Sequence, residues 1–430
     1  MRVLVLGSGA REHALAARLA IERDVGELVC APGNPGMARI ARTIPADLAD
    51  LDRLVELADH EQIDLTVVGP ELPLSLGVAD RFAADGRLLF GPTASAARLE
   101  SSKAFAKAFM ARHRVPTARF HTSDSLADAL AVVRSGEFGW PVVLKADGLA
   151  AGKGVVVAED RGSAEAGVAA AMGERRFGAA GERLVIEECL SGPEVSFFVV
   201  SDGTRALPLG SAQDHKRVFD NDRGPNTGGM GAFASSPFVD GALQARVMHE
   251  IVGPVIAGMA AEGHPFRGFL YVGLMLTAKG PKVIEFNVRL GDPEAQVILP
   301  LVDEPLLPIL IAAAAGHLRQ STCRLGHDRL VGIVLASRGY PESSESGQTV
   351  EGLDEAERVP GVAVYHAGTA RRDGRLVTAG GRVLTVVGRA AEFSEAIARA
   401  YAGAMLISFD GMQYRRDIGR RALGDLRSVI

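Results

Sequence analysis

The run Val3–Leu6 is apolar at every position and passes at once into Gly-Ser-Gly and then AREHALAARLA. A strand without polar alternation has to be covered on both faces. Strand, tight glycine turn and helix together open a strand–helix–strand unit, which puts this strand in a parallel sheet with helices on both sides. Leu28–Ala31 and Leu65–Val68 repeat the pattern, each ending in a glycine/proline loop, PGNPG at 32–36 and GPELPL at 69–74. Ligands bind at the carboxyl ends of such strands, so the three loops should line one crevice. GSGARE approaches the dinucleotide fingerprint, but Glu12 stands where its third glycine belongs, which argues against a nicotinamide site.

Gly91-Pro92-Thr93 marks the end of this first unit, and a helix predicted over Ser95–His113 follows it, carrying Lys103. A second α/β region runs to about Leu190. A third starts near Glu194, holds the loop DHKRVFDNDRGPNTGGMGAF, and ends in paired strands Gly268–Thr277 and Lys282–Phe286 and an apolar helix after Glu304. From Leu330 the pattern is strand-rich, with one helix over Ala390–Met405. The expected division is 1–100, 101–320 with a lid subdomain at about 117–190, and a small β-rich unit at 321–430. A chain of 430 residues can bury several cores. Its net charge of −5, without any basic run, excludes a nucleic-acid footprint. Cys30, Cys189 and Cys323 form no CxxC pair, which suits buried thiols in a reducing compartment and leaves no zinc site. The longest apolar stretch, Leu306–Ala315, contains Pro308 and falls short of the roughly 20 residues a bilayer requires. The expected location is cytoplasmic.

Chemistry concentrates in three stretches. LKADGLAAGKGVVV at 144–157 places Lys145 before the glycine loop Gly148–Gly154. The spacing back from Gly152-Lys153 is one residue short for a P-loop, and β-branched residues follow where a P-loop opens a helix. Strand, glycine loop and strand describe a hairpin whose backbone N–H groups could cover a polyphosphate, or an ordinary hairpin turn beside a surface lysine. VIEECLSGPEVSFFV crosses between strands, where exposed backbone can read an adenine edge and Glu194 can accept both ribose hydroxyls, or it is an ordinary linker with solvated glutamates. In KVIEFNVRLGDPE, strand periodicity puts Glu285, Asn287 and Arg289 on one face, opposite Phe286 and Val288. Two hard oxygen donors and a guanidinium suit magnesium bridging polyphosphate, unless this is a half-buried strand with a salt-bridged polar face; the Gly291-Asp292-Pro293 turn aims Asp292 at the same place.

Taken together these stretches resemble the ATP-grasp superfamily. With GSGAREHAL, APGNPG, VGPELPL, QDHKRVFDNDRGPNTGGMGAF and GGRVL in this order, the whole chain is similar to the phosphoribosylamine–glycine ligase (glycinamide ribonucleotide synthetase) family. The resemblance implies a Rossmann-like N-terminal (pre-ATP-grasp) domain, a two-lobed ATP-grasp core and a small β-rich C-terminal domain. It also implies joining of glycine to 5-phosphoribosylamine with ATP, through glycyl phosphate, in purine biosynthesis. An ATP-grasp ligase for another carboxylate/amine pair is the alternative.

Laid onto this chain, the family's roles give Lys103 and Lys145 to the ATP phosphates under Gly152, Lys153 and Gly154. Glu187, Glu188 and Leu190 fall to adenine, Glu194 to ribose, and Glu285 and Asn287 to magnesium or manganese. LYVGLML carries Gly273 where many relatives have a metal-binding acid, so either Glu285 bridges two ions or one ion dominates. Leu290 stands where the family often has an aromatic. Arg289 and Lys145 meet charge on the transferring phosphoryl group, or Arg289 grips the glycine carboxylate. Asp214 orients the amine or takes its proton, unless it pairs with Lys216 or Arg217. The substrates are expected against Gly9, Glu12, Asn34, Asp214, His215, Lys216, Asn226, Thr227, Gly228, Gly229, Arg289, Gly291, Asp292 and Pro293. The loop Gly224–Gly231 should close over phosphoribosylamine, and the turns Gly7–Arg11 and Asn34–Gly36 should reach its sugar phosphate. His13, His215 and His366 read as substrate contacts or structural residues. The implied partners are small molecules alone, with neither nucleic acid nor membrane, and the implied state is a monomer.

Overall fold

The computed structural model describes residues 1–148 and 154–424. Arg2–Gly7 is the middle strand of a five-stranded parallel sheet, ordered Arg42–Thr43, Glu27–Pro32, Arg2–Gly7, Leu65–Val68, Leu89–Phe90. The apolar run has the two-sided burial its composition requires. Val3 and Val5 enter one core with Ala14 and Leu15 of the helix Ala10–Ala20, while Leu4 and Leu6 enter another with Leu54, Val55 and Phe82. Each such side chain contributes about 1.5–3 kcal/mol on burial.

The helix predicted over Ser95–His113 is two helices, Ala94–Ser101 and Lys103–Arg112. Ser102 leaves the helical region at φ −136°, ψ 108°, and its hydroxyl accepts from the Phe105 N–H at 3.1 Å, capping the second helix. The same hydroxyl donates to Asp147 at 3.2 Å, and Asp147 also accepts from the Ala104 N–H at 3.1 Å. A tertiary anchor thus overrides local helix propensity and fixes the direction of Lys103.

The central sheet has eight strands, all paired antiparallel: Gly280–Asn287, Arg267–Thr277, Glu194–Asp202, Ala206–Asp214, Gly231–Ala234, Arg329–Ala336, Arg382–Ala390 and Val362–His366. Strands from beyond position 320 therefore continue the sheet that begins at Glu194. A separate four-stranded sheet, ordered Phe120–Ser123, Leu184–Glu188, Val142–Ala146, Val155–Ala158, carries the helices Leu126–Ser135 and Arg161–Val168 on its own apolar core. Among the described residues no helix is long and apolar enough to cross a membrane.

Candidate active site

A cavity of about 690 Å³ opens between the four-stranded sheet, the edge of the central sheet and the N-terminal unit. Its upper wall starts at Lys145, which pairs with Val155 across the hairpin, and includes Gly148 and Gly154. Gly152 and Lys153 lie outside the described residues. Lys103, at the first position of its helix, donates to the Gly148 carbonyl at 2.8 Å. Burial holds its ammonium below the ordinary lysine range, against the pull of Glu285.

The lower wall is the edge strand Gly280–Asn287. Gly273 pairs with Glu285 and Leu274 with Val283, so Ile284 is an extra residue in the ladder, a β-bulge. The bulge has two effects. It shifts the inward set from Val283 to Phe286 and Val288, leaving Glu285 and Asn287 on the cavity side. It also frees the Ile284 carbonyl to accept from Lys145 Nζ at 3.0 Å. Gly273 pairs directly with Glu285, and a Cβ there would lie 3.1 Å from the Glu285 Cγ, so this position of the neighbouring strand brings no acid to Glu285.

Burial opposes ionisation of Glu285, yet Lys216, Lys145 and Lys103 together hold its carboxyl below the usual range. Lys216 is 3.0 Å from Glu194 and 3.6 Å from Glu285, joining the expected ribose and metal positions. Asp214 sits deeper. Burial, helped by Glu294, Glu194 and Glu285 and opposed by Lys216, pushes its carboxyl up to about 7. Glu294, which the sequence reading passed over, is buried, accepts from the Ser196 hydroxyl at 3.0 Å, and is raised chiefly by burial.

The crossing Glu188–Glu194 leads from the four-stranded sheet into the central one, and Cys189, Leu190 and Glu194 face the cavity. The two glutamates ahead of it are committed elsewhere. Glu187 is buried between Lys107 and Lys145. Glu188 binds Arg119 at 2.9 Å and Lys282 at 3.0 Å; burial works against its charge, and these partners still bring it down to about 2. Any adenine reading in this stretch is left to backbone groups and Leu190.

Arg289 is tied to Glu71 at 3.0 Å and Glu100 at 2.9 Å while still lining the cavity. Burial disfavours its charge, but the two acids keep the guanidinium above its ordinary value. At the far end, Arg382 of the C-terminal region donates to the Gly228 carbonyl at 2.7 Å, the Asp292 carbonyl at 2.5 Å and the Asp292 carboxylate at 2.9 Å. It clasps the two loops expected at the amine substrate. Thr227 is engaged at its own turn, donating to the Lys216 carbonyl at 2.8 Å. Asn226, Gly291 and Asp292 line the cavity with it.

Three expected substrate contacts have buried side chains behind the cavity wall. Glu12 accepts from the Gly9 N–H at 2.7 Å and binds Arg11 at 2.5 Å, capping its own helix. Gly69 makes room for it, since a Cβ there would lie 2.2 Å from Glu12. Asn34 donates to the carbonyls of Ser8 and His366 and accepts from the N–H groups of Gly36 and Met37. His215 is enclosed beside Phe233. Gly9 and Pro293 sit at the edges of the same turns: a Cβ on Gly9 would lie 3.8 Å from the Asp292 carboxylate, and one on Gly229 2.5 Å from Pro293.

The chain matches, in order, the models of the phosphoribosylglycinamide synthetase N domain over residues 1–100, its ATP-grasp (A) domain over 101–295 and its C domain over 330–421. It belongs to the phosphoribosylglycinamide synthetase family. Among curated members, a phosphoribosylamine–glycine ligase of Xylella fastidiosa (strain Temecula1) is 49% identical over 98% of both chains. That of Xanthomonas campestris is 50% identical over 100% of both. A crystal structure of the Thermotoga maritima phosphoribosylamine–glycine ligase superposes with a TM-score of 0.83 at 34% identity, covering 97% of this chain and 100% of that one. Within this family's architecture the cavity lies where the A domain meets the N and C domains: Lys103, Lys145 and Glu285 come from the first, Arg11 and Glu71 from the second, Arg382 from the third.

Proposed function

We propose that this chain joins glycine to 5-phosphoribosylamine, converting ATP to ADP and phosphate and releasing glycinamide ribonucleotide. The observation that carries the reading is the pairing of Lys103 and Lys145 across one cavity from Glu285 and Asn287, in a chain related to these ligases along its whole length. A carboxylate is a poor acyl donor. A glycine carboxylate oxygen therefore attacks the γ-phosphorus, the bond to the ADP oxygen breaks, and glycyl phosphate forms. The amine of phosphoribosylamine then attacks the acyl carbon, the carbon–oxygen bond to phosphate breaks, and the amine loses a proton.

Most of the protein's work is positioning, for which effective-molarity gains of about 7–11 kcal/mol are available. Lys103 and Lys145 hold the phosphates, and Leu190 with the crossing backbone faces the base. Glu194, kept in place by Lys216, faces the ribose. Arg289, fixed by Glu71 and Glu100, meets the glycine carboxylate. Asp214, pushed up to about 7, can take the amine proton near neutral pH. Glu285 and Asn287 fit a magnesium or manganese ion that arrives with the nucleotide: two hard oxygen donors, with no cluster of three ligating side chains among the described residues. Such an ion would offset charge on the phosphate oxygens. Glycyl phosphate hydrolyses when wet, so the reaction depends on water being kept from it. We place the enzyme in the cytoplasm as a monomer using small-molecule substrates only.

The test is ADP release with each substrate omitted in turn. Glycine and phosphoribosylamine should both be required. Full turnover without glycine would instead assign the site to another carboxylate.

A further inference from the structure

Lys107 lies one helical turn beyond Lys103 on the same face, and only 3% of it is exposed. A lysine so deeply enclosed needs a compensating charge. It donates to the Thr117 hydroxyl at 2.7 Å, and Thr117 passes a hydrogen bond to the Val283 carbonyl at 2.7 Å. Its ammonium also forms a close ion pair with Glu187 Oε2. Oε1 of the same carboxylate is paired with Lys145. One anion is therefore shared by two cations, and Lys145 in turn reaches the bulge carbonyl of Ile284. Helix, lid sheet and edge strand meet in this chain of contacts.

Glu187 alone with Lys145 would make a neutral pair, whereas Glu187 between Lys145 and Lys107 leaves one net positive charge at the cavity wall. We infer that Lys107 is a positioning residue for nucleotide, which engages Glu187 so that the Lys145 ammonium stays available to polyphosphate. Burial brings the Lys107 ammonium down to about 8 against the attraction of Glu187, so it remains largely charged at neutral pH. The inference rests on the ligase reading only in taking the ligand to be a nucleoside triphosphate.

The experiment measures the Kd of magnesium with a non-hydrolysable ATP analogue by titration calorimetry, beside kcat and KM for all three substrates. Lys107→Met should weaken nucleotide binding by about tenfold, with glycine and phosphoribosylamine KM little changed. Lys107→Arg should stay close to the parent. The decisive variant is Lys107→Met with Glu187→Gln, which removes one charge of each sign and should recover most of the lost affinity. A purely structural lysine predicts the opposite, with the double variant as weak as the single or weaker, and that result overturns the proposal. If Lys107→Met does not fold, the double variant and Lys107→Arg still decide it. Because the calorimetry requires no glycine, it stays informative even if the omission assay rejects the ligase reading.

Discussion

Lys145 Nζ lies 3.0 Å from the Ile284 carbonyl, a direct hydrogen bond between the four-stranded sheet and the edge of the central one. The contact exists because a bulge turns that carbonyl out of its ladder. Hydrogen bonds to a charged group are worth about 1.5–3 kcal/mol, so Lys145→Met should lower kcat/KM for ATP by roughly 10- to 150-fold. Arginine at this position should rescue poorly, since its planar fork cannot serve one carbonyl and one carboxylate as a compact ammonium does. Steady-state kinetics with ATP varied would show whether the loss is that large.

Arg382 comes from the C-terminal region yet holds Gly228 and Asp292 together in the middle of the site. Arg382→Met removes the donor that the Gly228 and Asp292 carbonyls and the Asp292 carboxylate share. Misplacement of about 1 Å at a reacting group can lower rate on the order of 100-fold. The expected outcome is a fall of that size in kcat/KM for phosphoribosylamine, with nucleotide affinity close to the parent value. An equal loss in ATP binding would mean that the clasp supports the whole cavity, not the amine end alone.

Ser102 caps the helix that starts at Lys103 and anchors it to Asp147. Ser102→Ala should cost about 1 kcal/mol of stability, read from denaturant unfolding. It should also raise the KM for ATP, because the Lys103 ammonium is aimed by that helix start. A stability loss with unchanged KM would leave Ser102 a cap only.

What the sequence revealed and what it hid follow from the range of the forces involved. The parallel sheet was readable because Val3–Leu6 can be buried on two faces in only a few ways, and the neighbouring strands repeat its pattern. The hairpin at Lys145 and the acid–amide face at Glu285 were readable from residue type and period. The break at Ser102 was not: good helix formers stand on both sides, and the anchor that breaks the helix is 45 residues away at Asp147. The Ile284 bulge has no compositional mark. Glu12 opens a helix at a sheet's carboxyl end, where a ligand contact is expected, and its inward direction shows only in the fold, from its burial and the close approach of Gly69. Arg382 with Asp292, and Arg289 with Glu71, join residues 90 and 218 positions apart, beyond the reach of any local pattern.

Three buried histidines make stability depend on pH. Burial, aided by neighbouring cationic groups, brings His13 and His215 down to about 3 and His366 to about 4, from an ordinary 6.5. For such groups the unfolded chain binds protons that the folded chain refuses. Their contribution is therefore complete above pH 6.5 and is lost progressively as pH falls toward 3 to 4. Asp214, pushed from 3.8 up to about 7, acts the other way across most of this window, so the parent curve alone is ambiguous. The comparison that isolates the effect is His215→Gln against the parent, unfolded in urea at pH 8, 6 and 5. Below pH 6 the parent should lose about 1.4 kcal/mol per pH unit more than the variant does. Parallel curves would show that His215 takes up its proton without leaving the fold.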